Sequence, residues 1–211
     1  MKSCEKGRSM IEMLGVLAIV GVLSVGGIKG YSKAMAKIKT DKVITQLNEI
    51  ILNTRIAFVN DKDYANISPS LLIKINAVPT SMYDANNTGS NAIIKHALSG
   101  EVKIFTSKDL HGNDRAFEIY ATGLDAETCS LMAVLDWGIT TQGGLEAMYI
   151  GTQEITSPLL IDVHTPSDSI PENGIFTPGM NDDSLPINVS TAQNLCACNS
   201  TNDCVVGLKY I

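Results

Sequence analysis

Hydrophobic and polar positions divide the chain into an uncharged opening run, an amphipathic stretch and a long remainder of short-period pattern. No residue from Met13 to Ile28 is charged. With Met10 and Ile11 on its front edge, the run comes close to the roughly 20 apolar residues that cross a bilayer as a helix. From Gly30 to about Asn60, Ile44, Leu47, Ile51 and Phe58, flanked by Val43 and Ile50, recur at helical spacing and make one apolar face. Lys37, Lys42, Glu49 and Asn53 make the opposite one. Together these stretches predict one helix from Ser9 to Asn60. Its weak point is Gly26-Gly27-Ile28-Lys29-Gly30, because each interior Gly costs roughly 1 kcal/mol relative to Ala. Two helices broken at those glycines are the alternative.

Beyond Asn60 the period shortens. Asp61-Lys62-Asp63 and Ser68-Pro69 read as turn, and Leu71, Leu72, Ile73 and Ile75 as a short apolar piece before Pro79. Glu101–Phe105 and Ala116–Ala121 alternate as strands, with Val102 and Ile104 on one face. The Leu110–Asp114 turn between them predicts an antiparallel hairpin. Asp125 caps a helix to about Trp137, with Leu131, Val134 and Leu135 on its buried side and Cys129 within it. Ala147–Ile150 reads as a strand, and Ser157–Pro186, with five of the prolines, as a surface loop. Ser190–Leu195 reads as a helical turn and Cys204–Ile211 as a closing strand. The expected class is α+β, a long N-terminal helix on an antiparallel sheet.

The net charge is −6, which gives no reason to expect nucleic acid as a partner. Lys2, Lys6 and Arg8 precede the apolar run and, by the positive-inside tendency, keep the N-terminus in the cytoplasm while the rest is exported. Lys29 and Lys33, just beyond the run, act against that bias. A secretory signal peptide would need a small-residue cleavage site after the run, and Ile28 instead leads straight into helical pattern. One carboxylate, Glu12, sits in the leading end of the run. A charge costs about 2.5–3.5 kcal/mol at the centre of a membrane helix and less near its end, so Glu12 is read as functional. The plainer reading is a membrane anchor with Glu12 at the interface.

Of five cysteines, Cys4 lies ahead of the apolar run, and Cys129, Cys196, Cys198 and Cys204 would be exported, which reads as two disulfides. Cys196 and Cys198 are too close in sequence to pair with each other. Cys129 therefore pairs with either of them and Cys204 with the other. Zinc is disfavoured, since CxC lacks the usual ligand spacing and His96, His111 and His164 show none. No nucleophile elbow, phosphate loop or paired-carboxylate arrangement points to an enzyme or a cofactor. Asp182-Asp183 reads as solvated surface rather than a calcium site. Phe58, Phe105, Phe117 and Trp137 read as core or interface.

Lys2 and Lys6, then Gly7, then Glu12 as the fifth residue counted from Arg8, then the apolar run: this series resembles the start of a type IV prepilin. The resemblance implies a leader of residues 1–7 cut between Gly7 and Arg8 by a prepilin peptidase, which takes the net charge of the mature chain to −7. Arg8 departs from the family, whose mature chains usually begin with Phe, Met or Leu. The resemblance also implies residues 8–30 as membrane span and filament core, 31–60 as the amphipathic half of the helix, and 61–211 as an exported head with a pilin-like fold. Glu12 would pair with the terminal amine of a neighbouring copy, and the methylated amine common in the family would here be that of Arg8. Gly15, Ala18, Gly21 and Ser24 would allow close helix approach. The partners implied are further copies of the chain, the peptidase, an inner-membrane assembly platform and the membrane before assembly. The endpoint would be an extracellular filament. From about Phe117 onward, the order of strand, Cys-bearing helix, variable stretch, Cys-rich segment and terminal strand resembles the type IVb pilins, in which a disulfide closes a large loop. A minor pilin, a type II secretion pseudopilin and a single-span anchored binding domain are the competing functions.

Overall fold

The structure, a computed structural model, describes residues 10–61, 63–109, 111–138, 144–160, 174–177, 185–198 and 203–211. Helix α1 (Met10–Ala57) takes in both the apolar run and the amphipathic stretch. It passes through Gly26, Gly27 and Gly30 unbroken and stops at Ala57 rather than Asn60. The chain divides into two compact units, Met1–Asp41 and Lys42–Ile211.

In the second unit, the residues of α1 bury the face that the periodicity marks. Val43, Leu47, Ile50 and Ile51 are buried, and Ile44 and Phe58 pack against the same core. Asn53, expected on the polar face, is half-buried and donates Nδ2 to the Ala77 carbonyl at 3.4 Å. The short apolar piece beyond the turn is helical, α2 (Pro69–Lys74). Ser68 caps it by accepting the Leu71 N–H, and Pro69 supplies a preset first turn.

Six strands form one antiparallel sheet in the order β1-β2-β3-β6-β4-β5. These are β1 (Ile94–Lys95), β2 (Glu101–Ser107), β3 (Ala116–Leu124), β4 (Leu145–Gly151), β5 (Ile175–Phe176) and β6 (Cys204–Tyr210). The predicted hairpin is β2–β3, with Val102 opposite Ala121 and Ile104 opposite Ile119. The C-terminal strand does not close an edge. It enters the middle, between β3 and β4, where all seven of its residues are buried.

Alternation then builds two cores. Phe117, Ile119, Val206, Leu208, Met148 and Ile150 face the residues of α1 in the main core. Tyr120, Ala147, Tyr149 and Val205 face the other way, beneath a strap of residues 152–160 that contributes Ile155 and Leu160. Gly207 has no room for a side chain, because a Cβ there would fall on the Tyr120 ring.

Helix α3 (Ala126–Ala133) follows β3, capped by Asp125, which accepts the Thr128 N–H at 2.7 Å. It is shorter and turned differently from the sequence expectation. Thr128, Cys129, Met132 and Ala133 are its buried residues, while Leu131 is 39% exposed. The helix ends at Ala133, so Val134 and Leu135 are not part of it, and the buried side is the one that carries Cys129. Helix α4 (Val189–Leu195), capped by Asn188, leads into Cys196. Phe117 and Trp137 are core residues, whereas Phe58 and Phe105 are partly buried. Most of the Ser157–Pro186 loop, including Asp182-Asp183 and His164, lies outside the described residues.

Candidate assembly site

Glu12 stands in the first turn of α1. A carboxylate there is favoured by the unpaired N–H groups of a helix N-terminus, worth about 0.3–1 kcal/mol at an exposed position. The residues after it are apolar on every side. Ile11, Leu14, Leu17, Val20, Val22 and Leu23 are all exposed, from 52% for Val20 to 78% for Ile11. The most apolar window of α1 has a mean hydropathy of 2.2, and none of it is buried. By length and composition α1 is sufficient to cross a membrane. Gly15 and Gly21 have open space around the Cβ position, which leaves bare backbone on the surface of the helix. Gly7 and Arg8 lie outside the described residues.

The four downstream cysteines pair as Cys129–Cys196 and Cys198–Cys204, one of the two arrangements that spacing left open. The first joins α3 to the residue after α4. The second ties the same segment to the start of β6. Cys129, Cys196 and Cys204 are almost fully buried, so this end of the head is cross-linked from inside. Among the described residues there is no cluster of His, Cys, Asp and Glu that could hold a metal.

His96, not assigned a role from the sequence, is 3% exposed at the β1–β2 turn. Its Nε2 lies 2.8 Å from the Thr122 carbonyl and its Nδ1 is 3.2 Å from the Leu98 N–H. These partners require a neutral ring, with Nε2 donating and Nδ1 accepting. Gly100 allows the turn to close on it, since a Cβ there would strike both Thr122 O and the imidazole. Burial pushes the pKa of His96 below the ordinary histidine value, partly opposed by the Thr122 bond. The unfolded chain therefore takes up this proton first as pH falls. The contribution of the neutral ring is complete above about pH 6.5 and is lost as pH drops from there through the depressed folded value. Thermal melting of the protein between pH 7.5 and 5 should show a falling Tm, and His96→Gln should flatten the curve in that window.

The sequence pattern also gives no hint of a buried polar group on the strap side of the sheet. Glu118 and Lys209 face each other across β3 and β6, and both are fully buried. Glu118 accepts hydrogen bonds from Ser107 Oγ at 2.6 Å, from the Leu160 N–H at 3.1 Å and from the Tyr120 hydroxyl. Burial, with the Glu118 charge adding to it, raises the Tyr120 phenol far above its ordinary range and keeps it a donor. Tyr120 also accepts the Leu159 N–H at 2.9 Å. Lys103 and Lys209 donate to the carbonyls of Ile155 and Leu160, so charged side chains of the sheet hold the strap near its middle and at its last residue. The burial itself did leave a signal. Cys204–Tyr210 is apolar at nearly every position, which marks a strand covered on both faces.

An apolar helix with an acidic first turn, an amphipathic continuation buried on an antiparallel sheet, and a C-terminal strand tied back by disulfides define the type IV pilin class. The chain belongs to the Bundlin family, whose model matches residues 33–162. It is similar to the "Major structural subunit of bundle-forming pilus" of Escherichia coli O127:H6 strain E2348/69. The two are 25% identical over 144 residues, covering 67% of this chain and 70% of the relative. The protein of the same description from Escherichia coli O111:H- matches equally. Among solved structures, the type IVb pilin of Salmonella typhi superposes with a TM-score of 0.52 at 15% identity, over 80% of this chain and 97% of that one. TcpA, a type IV pilin of Vibrio cholerae El Tor, gives 0.51 at 15% identity, over 82% and 99%. The likeness to these two is one of fold.

Proposed function

We propose that this chain is the structural subunit of a type IV pilus, polymerised through the N-terminal part of α1. The observation that carries the reading is Glu12 at the head of α1, whose large apolar residues from Met10 to Ile28 are all exposed. Such a surface requires cover, at about 25 cal/mol per Å² of apolar area. Lipid covers it while the chain waits in the inner membrane, and the same residues of other copies cover it in the fibre. The prepilin peptidase removes residues 1–7 by cutting between Gly7 and Arg8, and the assembly platform lifts the subunit from the bilayer. Glu12 of the incoming subunit pairs with the Arg8 amine of a neighbour, so that the cost of burying each charge is offset by the other. Residues 8–30 then form the filament core and the head, carrying both disulfides, its surface. The description of the Escherichia coli relatives as major subunits favours a bulk component of the filament over a minor pilin or a pseudopilin.

N-terminal sequencing of the protein recovered from cells tests the processing step. A chain beginning at Arg8 supports it. A chain still beginning at Met1 points to a single-span anchored domain and removes the free amine on which the pairing depends.

A further inference from the structure

The last turn of α1 and helix α2 line an open groove on the head, about 380 Å³ in volume. Ala57, Phe58, Leu71 and Ile75 give it an apolar wall, and Ile75 is 41% exposed. Asp61 and Asp63, both exposed, stand at the same groove. Asp63 accepts the Ala65 N–H at 3.1 Å, and among the described residues neither aspartate is in a salt bridge. Arg55 and Arg115 line a second hollow that shares the two aspartates, and neither lines this one. Lys62 lies outside the described residues. The groove therefore suits a partner that brings an aliphatic side chain with a positive charge on each side of it.

The chain carries that combination elsewhere. Although its net charge is −6, residues 29–42 hold five lysines and one acid, Asp41. Ile38 lies in their midst, 58% exposed, between Lys37 and Lys39, which are exposed as well. Successive residues of a helix turn by about 100°, so the two lysines flank Ile38 on either side. Ile38 belongs neither to the uncharged run nor to the core of the head. We propose that Ile38 of one copy enters this groove on the head of a second copy, with Lys37 and Lys39 set against Asp61 and Asp63. The contact rests on the pilus reading and extends it, since copies that bury residues 8–30 against each other bring the stretch that follows alongside neighbouring heads. Opposite charges at the margin fix the register, and burial of Ile38 against Ile75 supplies the attraction.

The test is cross-linking of sheared filaments of the unaltered chain with a water-soluble carbodiimide, which joins an amine to a carboxylate only where the two touch. A dimer band should appear on a denaturing gel, and its digest should contain Lys37 or Lys39 linked to Asp61 or Asp63. A dimer in which the two aspartates are linked to other lysines, or to none, gives the groove to another occupant and overturns the proposal. Asp61→Asn/Asp63→Asn keeps the side-chain shape and the acceptor for Ala65. It should lower the filament yield on the order of tenfold, with both disulfides still formed in the membrane fraction. Exchanging the charges, Lys37→Asp/Lys39→Asp together with Asp61→Lys/Asp63→Lys, should recover filaments that either half alone loses. An undiminished yield from the Asn variant, or no recovery on exchange by a protein that reaches the membrane with both disulfides, overturns the proposal. Where the variants do not accumulate, the cross-link decides alone. Failure of the pilus reading looks different: the unaltered chain then gives no filaments to cross-link, and this contact falls with it.

Discussion

Glu12→Ala should give a protein that folds its head, forms both disulfides and enters the membrane, yet yields no filaments in sheared material. The head takes none of its structure from this position. Its core is built from Val43 onward, and Glu12 lies in the other compact unit. Membrane insertion should improve slightly, since the variant removes a charge from the leading end of an apolar run. Assembly is where the loss falls. An incoming subunit would leave its neighbour's Arg8 amine buried without a counter-charge, and removing one partner of a buried pair typically costs about 3–5 kcal/mol. At every subunit addition that is a factor of about 150 to 4,000 against the filament. Western blotting of membranes and of the sheared fraction measures the two halves of the prediction. Abundant filaments from Glu12→Ala would refute the pairing.

The second large effect concerns the disulfides. Cys129 and Cys196 are 67 residues apart in sequence, and loop-closure entropy assigns such a bridge about 4 kcal/mol of stability. Cys198 and Cys204 are separated by 6 residues, for which the same argument gives about 2 kcal/mol. The double variant Cys129→Ala/Cys196→Ala should therefore lower the Tm on the order of 10 °C, and Cys198→Ala/Cys204→Ala by less. The longer loop includes β4 and β5, and its opening releases the segment after α4 from its covalent tie to α3. Thermal melts of the two variants decide the order, and an equal or reversed order would show that entropy of the open chain is not what these bonds control.

Much of this architecture was legible because the elements concerned announce themselves locally. The face of α1 in the head comes directly from the spacing of Val43, Leu47, Ile50 and Ile51. The β2–β3 hairpin comes from alternation, and the cap at Asp125 from residue type. The hidden features depend on distant partners. Glu118 alternates with Phe117 and Ile119 and so reads as a solvent-facing residue, yet a strap about 40 residues further along the chain covers it and bonds it through the Leu160 N–H at 3.1 Å. Leu131 reads as core from hydrophobicity alone, but the rotation of α3 is set by the side that bears Cys129 and its bond to Cys196. The central place of β6 is likewise invisible to local pattern, since strand order is decided by which neighbours are left to pair. For the assembly site, the position of Glu12 on the helix was readable, whereas its partner lies by hypothesis on another molecule.

The central claim is that the exposed apolar part of α1 is covered by other copies of the same chain in a fibre outside the cell. Electron microscopy of cells producing the protein, labelled with antibody raised against the head, tests it most directly. Label spaced along thin surface filaments, with this chain as their main component after shearing, is the predicted result. Label confined to the cell envelope, with no filament containing the chain, would contradict it.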